Sequence, residues 1–168
     1  VEDADYYDQE DVAVLTGVRA TGVDPDEHVV TLEDGRELGY EKLLLATGGH
    51  AWRLPIPGND LENVFTLRVI EDSDSIREAA GDGKHALIMG GSFIGSEVAA
   101  SLRQLGTQVT MIFPESRLLE RIVPVELSDL LFAVYRDEGI DVFPNTVSDG
   151  MEGDGKVERV MLDSGETV

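Results

Sequence analysis

Gly90, Gly91, Ser92 and Gly95 stand where an apolar run, Ala86 to Met89, gives way to an amphipathic one, Ser96 to Leu105. A strand that reverses into a helix through glycines gathers backbone N–H groups and the positive end of the helix dipole at one point. Two phosphate charges can be met there without a basic side chain, which is the chemistry of holding a dinucleotide pyrophosphate. The pattern G-x-G-x-x-G would run from Gly90 to Gly95, with Ser92 in place of the middle glycine. Ser92 adds a Cβ and a hydroxyl. Either the hydroxyl donates to a phosphate or the bulk weakens binding, and the dinucleotide affinity of a Ser92→Gly variant separates these from no role at all.

An acid follows the last glycine by about 20 residues, at the spacing such a site requires. It is Glu115, just past the apolar run Gln108 to Phe113. In a β-α-β unit the end of the second strand lies beside the adenosine ribose, where a carboxylate accepts hydrogen bonds from both hydroxyls and repels a 2′-phosphate. The spacing therefore favours NAD(H) over NADP(H), with Arg117 and Arg121 close enough to offset that repulsion.

The elements that must position these residues follow from periodicity. Val98, Ala99, Leu102 and Leu105 share one helical face, and Gly106 stops the helix. A short helix over Glu71 to Ala80 precedes a strand over Ala86 to Met89. A helix from Val125 to Glu138 repeats Leu127, Leu130, Leu131 and Val134, and a third parallel strand follows at Ile140 to Phe143. Upstream, short strands at Val12 to Leu15, Arg19 to Val23, Val29 to Leu32 and Glu37 to Tyr40 form a β-meander, with Pro25-Asp26 and Asp34-Gly35 as turns. The run Lys42 to Thr47 reads as a strand buried on both faces, ended by Gly48-Gly49. The Pro-rich segment HAWRLPIPGND separates two lobes, 1–66 and 67–168. Val157 to Leu162 begins a second meander with no evident partner strand before Val168, so a piece of a larger protein is expected.

Composition narrows the function classes. The 168 residues carry 34 acids against 13 bases, a net charge of −21, which disfavours nucleic acid and anionic membranes as partners. Acids spread along the whole chain, with arginine preferred to lysine, suit a protein kept soluble in high salt. No cysteine is present, so redox chemistry within this chain needs a cofactor. No apolar run spans a membrane and the first residues do not read as a secretory signal, so a cytoplasmic protein is expected. His28, His50 and His85 are too scattered in sequence for a metal site and are expected in exposed loops.

The order of β-meander, ATGG at Ala46 to Gly49, Pro-rich link, GGSFIGSE at Gly90 to Glu97, FPE at Phe113 to Glu115, PVELS at Pro124 to Ser128 and EGIDVFPN at Glu138 to Asn145 resembles one family. It is the FAD-dependent pyridine nucleotide-disulfide oxidoreductase superfamily, in the branch of apoptosis-inducing factor and the ferredoxin reductase-like flavoproteins. The resemblance covers nearly the whole chain.

It implies an α/β fold: a Rossmann-like NAD(H)-binding domain of three-layer β/β/α character, truncated at its C-terminal end, plus part of a second Rossmann-like domain for FAD. By resemblance, Thr47 and Gly48 run along the FAD, Arg53 meets it, and Ala20 passes its backbone near the adenine. Phe93 and Ile94 would flank the dinucleotide, Glu97 would approach the nicotinamide amide, Glu115 would hold the ribose and Arg121 would face the adenosine side. In this family nicotinamide stacks on flavin and hydride passes between the rings, so no catalytic acid or base is expected of the chain. Electrons then reach an acceptor that the sequence does not name. The alternative is an NAD(H)-binding redox-sensing or interaction module. Homodimerisation stays open, and the chain alone is expected to be inactive and to lose FAD.

Overall fold

The computed structural model describes residues 4–168, and the chain divides into two compact units, 1–48 and 49–168. The first begins with a short helix, α1 (Ala4–Gln9), in a stretch whose sequence carries no helical periodicity. Three antiparallel strands follow: β1 (Ala20–Asp24), β2 (Val29–Leu32) and β3 (Glu37–Gly39), in the order β1-β2-β3. Asp24 shapes the first turn, its carboxylate accepting from the N–H groups of Asp26 and Glu27 at 3.0 and 2.9 Å. Gly35, at φ +83°, makes the second.

Two expected strands are not formed. Val12 to Leu15 and Lys42 to Thr47 are irregular, and Leu44 is 86% exposed. A strand is completed by a ladder partner, and among the described residues neither segment has one, so apolar content alone leaves them extended and unpaired.

The second unit holds the chemistry. Helix α2 (Ile70–Ala79) starts where Asp72 folds back to accept the N–H groups of Arg68 and Val69 at 2.8 and 3.1 Å. Then come β4 (His85–Met89), α3 (Phe93–Gln104), β5 (Gln108–Phe113), α4 (Val125–Asp137) and β6 (Ile140–Pro144). The strands form a parallel sheet in the order β4-β5-β6, with Ile88 opposite Met111 and Met111 opposite Val142. Parallel neighbours need crossover connections, which α3 and α4 supply.

Strand periodicity splits β5 between two cores. Val109, Met111 and Phe113 pack with Ala99 and Leu102 of α3, while Ile112 packs with Met151, Val160 and Leu162 of a further antiparallel pair, β7 (Ser148–Glu152) and β8 (Arg159–Leu162). Helices on one face of the parallel sheet and β7-β8 on the other make this unit a three-layer β/β/α structure. Strand β8 thus has a partner, β7, that the sequence does not make evident. Residues 166–168 also return beside it, Val160 and Val168 exchanging backbone hydrogen bonds at 2.7 and 2.9 Å.

The Pro-rich segment does not separate the units. Met151 N–H donates to Pro57 O at 2.8 Å, Val157 N–H to Glu62 O at 3.0 Å, and Ile56, Leu61 and Val64 pack against the β7-β8 core. Residues 49–66 therefore lie with the second unit, and the division falls at Gly48, ahead of the boundary at residue 66 expected from composition. Among the described residues no helix is long and apolar enough to cross a membrane.

Candidate functional site

The glycine turn is held from both sides. Gly90 has φ +141°, where an L side chain is strained, and its N–H donates to Ile112 O at 2.9 Å, fixing the end of β4 against β5. A Cβ on Gly90 would meet nothing within 4 Å, so this backbone faces open space. A Cβ on Gly95 would collide with Gly90 O, which is how closely the first turn of α3 lies against the loop. On Gly91 it would stand 2.6 Å from Cγ of the Phe113 ring. These glycines are what the close approach of strand, turn and helix demands.

Helix α3 begins at Phe93, ahead of the expected Ser96, so the turn itself is already helical. The first i to i−4 bond runs from Ser96 N–H to Ser92 O at 3.0 Å. The N–H groups of Phe93, Ile94 and Gly95 are left without intrahelical acceptors at the positive end of the dipole. Ser92 is the N-cap residue, yet its side chain makes no capping hydrogen bond. Phe93 and Ile94, 52% and 60% exposed, are large apolar side chains that no core accounts for. A cradle of this kind, with Gly90 open and Gly95 packed on the loop, fits a dinucleotide pyrophosphate.

Glu115 lies beyond the end of β5, its backbone fixed by Asn145 N–H donating to Glu115 O at 2.9 Å. A cleft of about 340 Å³ opens beside it, lined by Pro114, Glu115, Ser116, Glu120 and Arg121. Arg121 Nη2 lies 3.6 Å from Glu115 Oε1, so these two expected site residues are brought together. Glu120 joins them without a motif to mark it in the sequence. Its Oε2 accepts from Ser116 N–H at 2.7 Å and from Ser116 Oγ at 3.2 Å, and its Oε1 lies 3.7 Å from Arg117 Nη1. The Ser116 N–H above all holds the Glu120 carboxyl below the ordinary carboxylate range; desolvation opposes it, and the Ser116 hydroxyl and the Arg117 charge add to the lowering.

The glycine turn and the loop after β5 are tied to each other. Leu119 N–H donates to Gly91 O at 2.8 Å, with Leu119 in the left-handed region at φ 54°. Leu118 is fully buried, and Ser128 Oγ of α4 donates to its carbonyl at 2.6 Å. Leu118 and Leu119 in LLER give little local sign of this, because the partners are distant in sequence.

Ile94 and Glu97 line a second cleft, about 620 Å³, between α2 and α3 with Arg68, Ile76, Val98 and Leu105. Next to it Tyr135 donates to Ser96 O at 2.9 Å. Burial pushes the Tyr135 phenol above its ordinary value, the Ser96 hydrogen bond acting against the shift and the Glu97 charge with it.

The residues assigned to FAD by resemblance are not gathered in one unit. Ala20 opens β1; Thr47 and Gly48 lie in irregular chain of the first unit, Gly48 at φ +72°. Arg53 belongs to the second unit, where it donates to Asn59 O at 2.7 Å and Val64 O at 3.4 Å. Trp52 and His50 are exposed, and His28 stacks on Tyr40 with ring centroids 5.3 Å apart. His85, expected in a loop, begins β4 with Nε2 2.9 Å from Thr110 Oγ1. Among the described residues no three His, Asp or Glu side chains gather to hold a metal ion.

Residues 3–168 match the family described as pyridine nucleotide-disulphide oxidoreductase. The chain belongs to this family. It is 32% identical over 165 residues to the ferredoxin–NAD(+) reductase subunit of the benzene 1,2-dioxygenase system of Pseudomonas putida, covering 98% of this chain and 40% of that protein. Among solved structures, the ferredoxin reductase of the CYP199A2 system from Rhodopseudomonas palustris superposes with a TM-score of 0.88 at 26% identity, over 99% of this chain and 41% of that one. The covalent putidaredoxin reductase–putidaredoxin complex superposes at 0.86 with 31% identity, over 100% and 42%. The chain of this family member spans about two fifths of the length of the curated relatives it matches.

Proposed function

We propose that this chain is the nucleotide-binding part of an FAD-dependent oxidoreductase that takes hydride from NADH and passes electrons to a small redox carrier protein. The observation that carries the reading is the strand-turn-helix cradle, with free N–H groups at the start of α3 and a carboxylate beside the end of β5. In this reading the second unit is the NAD(H) domain and the first is part of the FAD domain.

Nicotinamide and flavin, when bound, supply the hydride chemistry. The protein's share is binding and alignment. Gly90, Gly91 and Gly95 let the backbone approach the pyrophosphate, and the N–H groups of Phe93, Ile94 and Gly95, with the Ser92 hydroxyl, donate to it. Phe93 and Ile94 exclude water along the dinucleotide. Glu97, in the cleft with Ile94 and Arg68, accepts from the nicotinamide amide. Glu115 accepts from the ribose hydroxyls, and Arg121, already paired with it, faces the adenosine. Thr47 and Gly48 follow the FAD, where positive φ at Gly48 gives a close backbone approach, and Ala20 presents its backbone to the adenine. Arg53 meets the flavin nucleotide through the donors that Asn59 and Val64 leave free. The carrier follows from the relatives, which are named as reductases of ferredoxin.

The test is an anaerobic titration of the intact flavoprotein with NADH and, separately, NADPH, followed through the flavin spectrum. Bleaching by NADH at a rate at least about tenfold above NADPH is expected, reversed by oxidised ferredoxin. No response to either nucleotide overturns the proposal. A reduced flavin that persists with a charge-transfer band in the presence of ferredoxin replaces it with a redox-sensing module.

A further inference from the structure

The loop after Glu115 contains a built anion seat with an anion from the protein already in it. Ser116 contributes its N–H and its hydroxyl, and Arg117 contributes a guanidinium. A backbone N–H, a hydroxyl and an arginine are the donors that a phosphate monoester takes. The occupant is the Glu120 carboxylate, one oxygen shared between the two Ser116 donors and the other turned to Arg117. The seat adjoins Glu115, the residue proposed to bind the ribose hydroxyls, and both acids line the same cleft.

We infer that Glu120 is a specificity-determining residue, whose carboxylate fills the seat that the 2′-phosphate of NADP(H) would need and repels that phosphate from it. The inference rests on the proposal that NAD(H) binds here and deepens it. Glu115 alone is an incomplete discriminator, because Arg121 is 3.6 Å away and its side chain is 85% exposed, leaving a solvated cation at the cleft to welcome a phosphate. Glu120 removes the other donors from reach. Like any solvated carboxyl it is charged at neutral pH, and the same donors hold it below its ordinary value. Arg117 is committed to Glu120 through more than the ion pair, since Nη2 also donates to Glu120 O at 3.0 Å. A four-residue return from Ser116 to Glu120 therefore acts as a built-in competitor for the phosphate.

The experiment is calorimetric binding of NAD+ and NADP+, which differ only in the 2′-phosphate, to the intact flavoprotein and to its Glu120→Ala and Glu120→Gln variants. Gln keeps the size and removes the charge, whereas Ala also empties the seat. The ratio of NADP+ to NAD+ affinity is expected to rise by about tenfold in Glu120→Ala, the size of one screened charge repulsion, and by less in Glu120→Gln. Raising the salt should shrink the gain. A merely structural role would lower both affinities together and leave the ratio alone, and that result in both variants overturns the inference while NAD+ binding by the wild type stands. Failure of the wild type to bind NAD+ removes the nucleotide reading and this inference with it.

Discussion

Gly91→Ala adds one methyl group where the backbone does not itself require glycine, because the φ of Gly91 lies outside the left-handed region. The cost is therefore steric and can be worked from distances. The new Cβ would stand 2.6, 2.7 and 2.9 Å from Cγ, Cδ1 and Cδ2 of Phe113, whereas carbon atoms rest at about 3.5–4.0 Å. Ring or loop must give by about 1 Å. The ring is 1% exposed within the α3-side core, and the loop is pinned by Gly90 N–H on Ile112 O and Leu119 N–H on Gly91 O. Overpacking of this kind costs about 1–3 kcal/mol. At about 2 kcal/mol, with a urea dependence of about 2 kcal/mol/M, the unfolding midpoint falls by about 1 M. Urea titration followed by far-ultraviolet circular dichroism reads this directly. Phe113→Leu is destabilising through lost volume, yet the double variant should be more stable than the sum of the singles by about 1 kcal/mol. A Gly91→Ala midpoint within error of the wild type, or strict additivity with Phe113→Leu, refutes the steric account.

Ser128→Ala removes the donor to Leu118 O at 2.6 Å from a buried site and leaves that carbonyl unsatisfied, at about 1–3 kcal/mol. Because the carbonyl anchors the loop proposed to hold the ribose, NAD+ affinity should fall as well; stability lost with full affinity would detach the loop from this contact. The Tyr135 phenol is raised above its ordinary value of 10.0, chiefly by burial. A raised folded-state value means that this stabilisation is complete below about pH 10 and is lost as the pH climbs through the folded value, so Tyr135→Phe should flatten the alkaline limb of a melting profile. An identical limb in both proteins would assign it elsewhere. With a net charge of −21, the folded state should gain from screening. Melting temperature should rise between about 0.1 M and about 1 M NaCl, where the screening length falls from about 10 Å to about 3 Å, and an unchanged melt would count against salt adaptation.

What is legible in the sequence is local. The glycine turn, α3 and the end of β5 can be read because glycine chemistry, helical spacing and strand alternation act within a few residues, and Glu115 can be placed because a β-α-β unit has a fixed length. What escapes depends on partners far along the chain. Lys42 to Thr47 has the apolar content of a buried strand but no ladder to join, whereas Ser148–Glu152 is polar and glycine-containing yet is a strand because β8 pairs with it. Ile56, between two prolines, and Leu61 look like punctuation and turn out to pack, half-buried, against the β7-β8 core, because Met151 N–H and Val157 N–H donate to Pro57 O and Glu62 O. Glu120 is lost among many acids: its role depends on the return of the chain onto Ser116.

The contact between Leu119 N–H and Gly91 O has a consequence for anyone who would alter nucleotide preference. Leu119 holds a left-handed backbone that costs a non-glycine residue about 1–3 kcal/mol, and the surroundings sustain it. The glycine turn and the loop after β5 therefore behave as one part, and under the proposed function that part carries two working faces. Substitutions in the loop after β5 should be felt at the glycine turn, and a grafted loop should keep its seat only if its residue at position 119 can hold the left-handed backbone that reaches Gly91 O.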